Sequence, residues 1–150
     1  MKTIVLVSCV SRKRDKKSKA RELYFGPLFE NSMAYAQSLG ADEIYILSAL
    51  YGLLRLEDEI SPYDVTMAYV PPDKRKPGLK ILSKPEKKEW GERVCTALSN
   101  HANLASDKFI LLAGAEYAKP LRGRLILLEE PLRGLQQGRR VARLKELLRG

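Results

Sequence analysis

The sequence predicts a three-layer α/β domain, one unit over residues 1–150, built on a mainly parallel central sheet of about four strands. Two observations carry this. Short apolar runs alternate with segments whose apolar residues recur at helical spacing. The opening run "TIVLVSCV" is aliphatic and β-branched without alternation, as a strand buried on both faces should be. A chain of 150 residues can bury a core without disulfide or metal staples.

Thr3 to Val10 reads as the central strand. Ser11 to Arg21 holds Arg12, Lys13, Arg14, Lys16, Lys17, Lys19 and Arg21 against Asp15 alone. Such self-repelling runs rarely pack, so a mobile basic surface loop is expected at 11–21. Leu28, Phe29, Met33 and Ala36 then mark a helix, with Pro27 in its first turn and Gly40 at its end. "EIYILSA" is the second strand, which "YGLL" breaks into a turn.

"VPPDKRKPGLK" suggests a flexible excursion at 70–82. Ser83 and Glu86 have capping-box spacing and open a helix with Trp90, Val94, Ala97 and Leu98 on one face. "KFILLAG" and "LILLEEP" supply the third and fourth strands. The last helix sets Val141, Leu144, Leu147 and Leu148 opposite Arg139, Arg140 and Arg143.

A net charge of +9 favours polyanionic partners. It is uneven, because residues 41–65 carry Asp42, Glu43, Glu57, Asp58, Glu59 and Asp64 against Arg55. Two cysteines, Cys9 and Cys95, and no secretory leader point to a reducing cytoplasm. The Cys and His spacing offers no zinc site, no cofactor is expected, and no apolar run is long enough for a membrane span.

Ligands of such sheets bind beyond the carboxyl ends of the strands. There the sequence places Ser8, Cys9 and Ser11 after the first strand, Ser48 and Tyr51 after the second, Gly114 and Tyr117 after the third, and Gly134 after the fourth. Cys9 beside Arg12 and Lys13 reads either as a nucleophile or as a small buried apolar residue. A cysteine-phosphatase cradle would need arginine where Asp15 stands, and a phosphate loop would need glycines that "SCVSRKRDKKSK" lacks. His101, at a helix end, reads as a capping or surface residue. Asp64 in "SPYDVT" either activates water or closes an Asx-type turn. The basic runs, with Arg139, Arg140 and Arg143 on one helical face, suggest nucleic-acid contact.

In order, "VSCVSRK", "ARELYFGPLF", "YILSALYGLL", "ISPYDVTM", "LLAGAEYAKPL" and "PLRGLQQGRRVARL" resemble a family of small prokaryotic and phage domains associated with the uracil-DNA-glycosylase-like superfamily. The resemblance covers nearly the whole chain, and "ILSALYGLL" and "PYD" are its specific part. More distantly it extends to the peroxide-stress DNA-binding proteins and a domain of archaeosine synthase. It implies a strand-end pocket for a nucleobase or nucleoside, to which Gly52, Pro62 and Tyr63 also belong, with Tyr24, Tyr51 or Tyr117 stacking on the base.

The expected activity is cleavage or exchange of an N-glycosidic bond. Asp64 and Cys9 are the catalytic candidates, and the carboxylate would stabilise a cationic sugar while the basic loops hold phosphates. Glycosylases generally place a histidine near the leaving base, and this chain has none in a matching motif. The alternatives are a non-catalytic DNA- or RNA-binding protein, and a binder or hydrolase of small nucleotides.

Overall fold

The computed structural model describes all 150 residues. Along the chain, β1 (Thr3–Ser8) leads through β2 (Ser18–Lys19) and α1 (Ala20–Leu23) to α2 (Pro27–Ser38), and β3 (Glu43–Ser48) and β4 (Gly52–Arg55) follow. Three short strands come next, β5 (Glu59–Ile60), β6 (Val65–Thr66) and β7 (Lys80–Ile81), and then α3 (Lys84–Ser99). The chain finishes with β8 (Lys108–Leu112), α4 (Ala115–Ala118), β9 (Leu127–Glu129) and α5 (Gln137–Arg149).

The central sheet has five strands in the order β4-β3-β1-β8-β9, parallel except for β4. The expected four become five because Gly52–Arg55, read from sequence as a turn, is an antiparallel edge strand. Gly52 permits this by taking φ +77°, so the chain reverses within a few residues and Leu54 pairs with Ile46. The last strand is only Leu127–Glu129, an edge strand whose Leu127 remains exposed.

Ile4, Val5, Leu6 and Val7 are all fully buried, because helices cover both faces of β1. α2 packs on β1 and against α5, while α3 packs on the sheet beside β4. A single cluster of 33 buried apolar residues joins these layers, so there is one core. Phe29, Met33 and Ala36 of α2 bury as their spacing predicts, and Gly40 ends that helix at φ +62°. In α3, Trp90, Val94 and Leu98 are buried, and Trp90 Nε1 donates to the Ser48 carbonyl at 2.8 Å. The Ser83/Glu86 capping box is formed, an arrangement contributing about 0.5–2 kcal/mol.

Three segments take forms that the sequence does not spell out. The basic loop pairs with the segment that follows it, Arg14 N donating to Leu23 O at 2.8 Å and Phe25 N to Arg12 O at 3.2 Å. Its far end, Lys19 and Arg21, pairs with Glu57 at 3.0 and 2.8 Å. Part of the acidic segment therefore neutralises part of the basic one. The excursion at 70–82 contains a 3-10 turn at Pro72–Lys74 and returns through β7, which pairs in parallel with β6. On α5 only Leu144 is fully buried, and Leu148 is exposed, because the helix meets the domain along a narrower stripe than its sequence suggests.

Candidate functional site

β1 sits centrally, and the chain passes from it first to β3 on one side and later to β8 on the other. The carboxyl ends of β1 and β8 thus flank the point where strand order reverses, the usual place for a ligand crevice. A cleft of about 550 Å³ opens there, lined by Ser8, Cys9, Val10, Ser11 and Lys13 from the first strand end and by Leu112, Ala113, Gly114, Glu116 and Tyr117 from the third. Asp64 to Thr66, Ala68 to Val70 and the returning Lys74, Lys76 and Leu79 form one wall, and Leu28, Ser32, Leu132, Gln137 and Arg140 another. The volume falls within the range of about 300–1,000 Å³ common for small-molecule sites.

The floor is a hydrogen-bonded set of neutral groups. Cys9, 9% exposed, donates its thiol to Tyr117 Oη at 3.4 Å. Beneath the second strand end, Ser48 Oγ donates to Tyr63 Oη at 2.7 Å and accepts from the Leu50 and Tyr51 amides at 3.2 and 2.9 Å. Tyr63 Oη in turn lies 2.6 Å from Tyr24 Oη. Burial pushes the Tyr24, Tyr63 and Tyr117 phenols well above their ordinary range, and nearby Cys9 adds to it. These phenols stay protonated near neutrality and furnish no general base.

Two partly buried cations face the cleft without a carboxylate partner. Lys13 Nζ lies 4.5 Å from the centroid of the Tyr63 ring, and burial lowers its pKa although Cys9 and Asp64 oppose the shift. Arg140 turns inward from α5, its Nε donating to Leu135 O at 2.9 Å, and burial lowers its pKa as well. Its guanidinium lies so close to Gly114 that a Cβ there would fall 2.9 Å from Nη2. Gly114 thus leaves the guanidinium its place by close approach, and its backbone angles, φ −79° and ψ 171°, would suit any residue.

Asp64 stands at the rim with its side chain 53% exposed, 3.9 Å from Lys76 Nζ. Its backbone carbonyl accepts from Lys80 N, part of the β6–β7 pairing. Glu116, the other carboxylate of the cleft, is held by Lys87 and Lys119 at 2.6 and 3.1 Å, and the Lys87 bond keeps it below the usual carboxylate range.

Of the residues singled out from sequence, Ser8, Cys9, Ser11, Lys13, Asp64, Gly114, Tyr117 and Arg140 share this cleft. Arg12, Arg14, Pro62 and Tyr63 line a second, adjoining one. Tyr24, Ser48 and Gly52 are buried and line neither cleft, and the Tyr51 hydroxyl donates to Ser61 O. Gly134, Lys16, Lys17, Arg139 and Arg143 lie outside both clefts. Arg143 instead pairs with Glu146 at 3.3 Å, and Arg139 shares α5 with Arg140 but faces away. His101 is exposed, with its ring 5.6 Å from that of Tyr45. No three His, Cys, Asp or Glu side chains are grouped to hold a metal ion, and no helix is long and apolar enough to cross a membrane.

Sequence reading missed Ser32, Lys74, Lys76 and Gln137. Ser32 is 3% exposed, lines the cleft, and makes no hydrogen bond within the protein. A small polar residue inside the apolar stripe of α2 was the available signal. Nothing local marks the others.

A family model described as "Family of unknown function (DUF6884)" matches residues 4–146. The UPF0246 protein azo1887 of Azoarcus sp. (strain BH72) is 35% identical over 108 residues, which make up 66% of this chain and 36% of that protein. The chain thus spans about a third of the length of that relative.

Proposed function

Since the chain belongs to the DUF6884 family, whose function is unknown, we propose from the cleft itself that it binds a phosphate-bearing nucleoside. The observation that carries this is the pair Lys13 and Arg140, two partly buried cations facing one cleft with no carboxylate on either. Burying a charge costs free energy unless a counter-charge arrives, so the site is preorganised for an anion. The rest of the lining suits a base and sugar: Val10, Leu28, Val70, Leu112 and Leu132 are apolar, and Ser32 and Gln137 hold unused hydrogen-bonding groups. Phosphate at the mouth and base inside is the arrangement that uses all of these.

Calorimetric titration with nucleoside monophosphates, the matching nucleosides and inorganic phosphate tests the proposal. The monophosphate should bind more tightly than either part. Lys13→Ala and Arg140→Ala should each weaken it by roughly 10- to 150-fold, the equivalent of a charge-assisted hydrogen bond of about 1.5–3 kcal/mol. Equal affinity for nucleoside and nucleotide, or no saturable binding, would refute it.

Asp64 supports a second reading, cleavage of the N-glycosidic bond, because its carboxylate opens onto the same cleft as Ser8 and Cys9. The motif resemblance to the uracil-DNA-glycosylase-like superfamily favours the same reaction. The half-exposed carboxylate would have to be drawn from Lys76 and covered by the bound substrate before it could position water or stabilise a cationic sugar. Base release from nucleosides, DNA or RNA, abolished in Asp64→Asn, is the expected result. No release, or release undiminished in that variant, removes the reading.

A further inference from the structure

Beside the main cleft lies a second one of about 580 Å³ with a different chemistry. Its wall carries Arg12, Lys13, Arg14 and Lys76 against Asp15 and Asp64, and its aromatic edge is Phe25, 42% exposed. Ser11, Lys13, Asp64 and Lys76 line both clefts, so the two spaces adjoin across a shared rim. Resting on the nucleotide reading of the first cleft, we infer that its occupant is one unit of a single-stranded polynucleotide whose neighbouring phosphate and base occupy the second cleft.

Geometry separates this from a loose basic surface. The cations of the second cleft sit on backbone that pairs with its neighbours, through the Lys13–Tyr24 bridge and the Arg14 N to Leu23 O bond. Arg14 Nε is fixed on Glu22 O at 2.8 Å, and neither Arg12 nor Arg14 is used by a carboxylate. The Arg12 stem lies across Gly26, where a Cβ would fall 3.1 Å from Arg12 Cδ. Gly26 also has φ +106°, a conformation other residues rarely adopt. The chain thus shapes itself around Arg12.

A free mononucleotide would fill the first cleft and leave these cations unused, whereas a polymer continues past Lys13 into them. The single strand follows from the first cleft, since a base seated there has left any helical stack. Phe25 offers the next base a stacking face, a contact that tolerates any sequence. Arg12, Arg14 and Lys76, which line this one cleft, supply the charge by which a backbone phosphate is recognised.

Fluorescence anisotropy with a mononucleotide, a trinucleotide and a decamer, as single-stranded DNA and RNA and as duplex, tests the inference. Single strands should bind at least tenfold more tightly than the mononucleotide, and more tightly than duplex. Phe25→Ala, an exposed position that does not threaten folding, should weaken single-strand binding by roughly 5- to 150-fold. Arg14→Ala should weaken it too and flatten its salt dependence. Both variants should leave mononucleotide affinity unchanged. A trinucleotide no tighter than a mononucleotide, equal losses for both ligands in Phe25→Ala, or a preference for duplex would overturn the inference while leaving the mononucleotide reading intact. Absence of mononucleotide binding would remove that reading by itself, and absence of binding to any of these ligands would remove both.

Discussion

Replacing Gly114 by alanine isolates the role given to Arg140. The added Cβ would stand 2.9 Å from Nη2 and 3.1 Å from both Cζ and Nη1 of that residue, and no backbone atom is among its three nearest neighbours. Only the free end of a flexible side chain has to move. The backbone angles at Gly114 suit any residue, so the substitution should bring about 0.4–1 kcal/mol of stabilisation through the unfolded chain. Loss of the Arg140 Nε bond to Leu135 O offsets this by about 1 kcal/mol.

Net stability should therefore stay within about 1 kcal/mol, a melting shift of about 2–4 °C at this chain length. Affinity should change far more. With the guanidinium displaced, a bound phosphate loses a charge-assisted contact of about 1.5–3 kcal/mol, roughly 10- to 150-fold in Kd. Calorimetric titration with a nucleoside monophosphate measures the loss, thermal melting measures the stability, and adding Gly114→Ala to Arg140→Ala should cost nothing further. Unchanged affinity in the single variant, additive losses in the double variant, or a melting drop well beyond 4 °C would each refute the reasoning.

Gly91→Ala should behave in the opposite way. In the middle of α3 its Cβ would stand 2.7 Å from Pro120 Cβ and 2.9 Å from Pro120 O. Overpacking of about 1–3 kcal/mol should outweigh the helix-propensity gain of about 1 kcal/mol, and a raised melting temperature would contradict the packing seen here. Glu86 is held down to a pKa of about 2, first by Lys80 and then by the Ser83 backbone amide. A depressed carboxylate contributes stability that is present above its unfolded pKa, near 4.5, and lost as pH falls toward about 2. Denaturant titrations across that window should show the gap between the native protein and Glu86→Gln closing with acid; a gap independent of pH would dismiss this account.

Much of the architecture is legible in the sequence because it is written locally. The aliphatic run of β1, the Phe29–Met33–Ala36 stripe of α2 and the Ser83–Glu86 cap each sit within a few residues of one another, and all three form. β4 was missed because a turn and the short strand after it share one signal, the glycine at 52. The burial of Ser48 and Tyr24 was missed because their partner, Tyr63, lies on a distant segment.

By itself the sequence determined the α/β class, the central strand, several strand-end residues that line the cleft and the excess of positive charge. All of these follow from hydrophobic period, chain length and composition. Only the tertiary structure decided which of the many cations are partly buried at the cleft. Lys13 and Arg140 are more than a hundred positions apart, on a loop and a helix that look like solvated surface when read singly. Sheet order brings the carboxyl ends of β1 and β8 side by side, and the inward turn of α5 lays Arg140 against Gly114. Charge is a property of residues, but desolvation and the absence of a counter-ion are properties of place, and place is set by contacts between segments far apart in the chain.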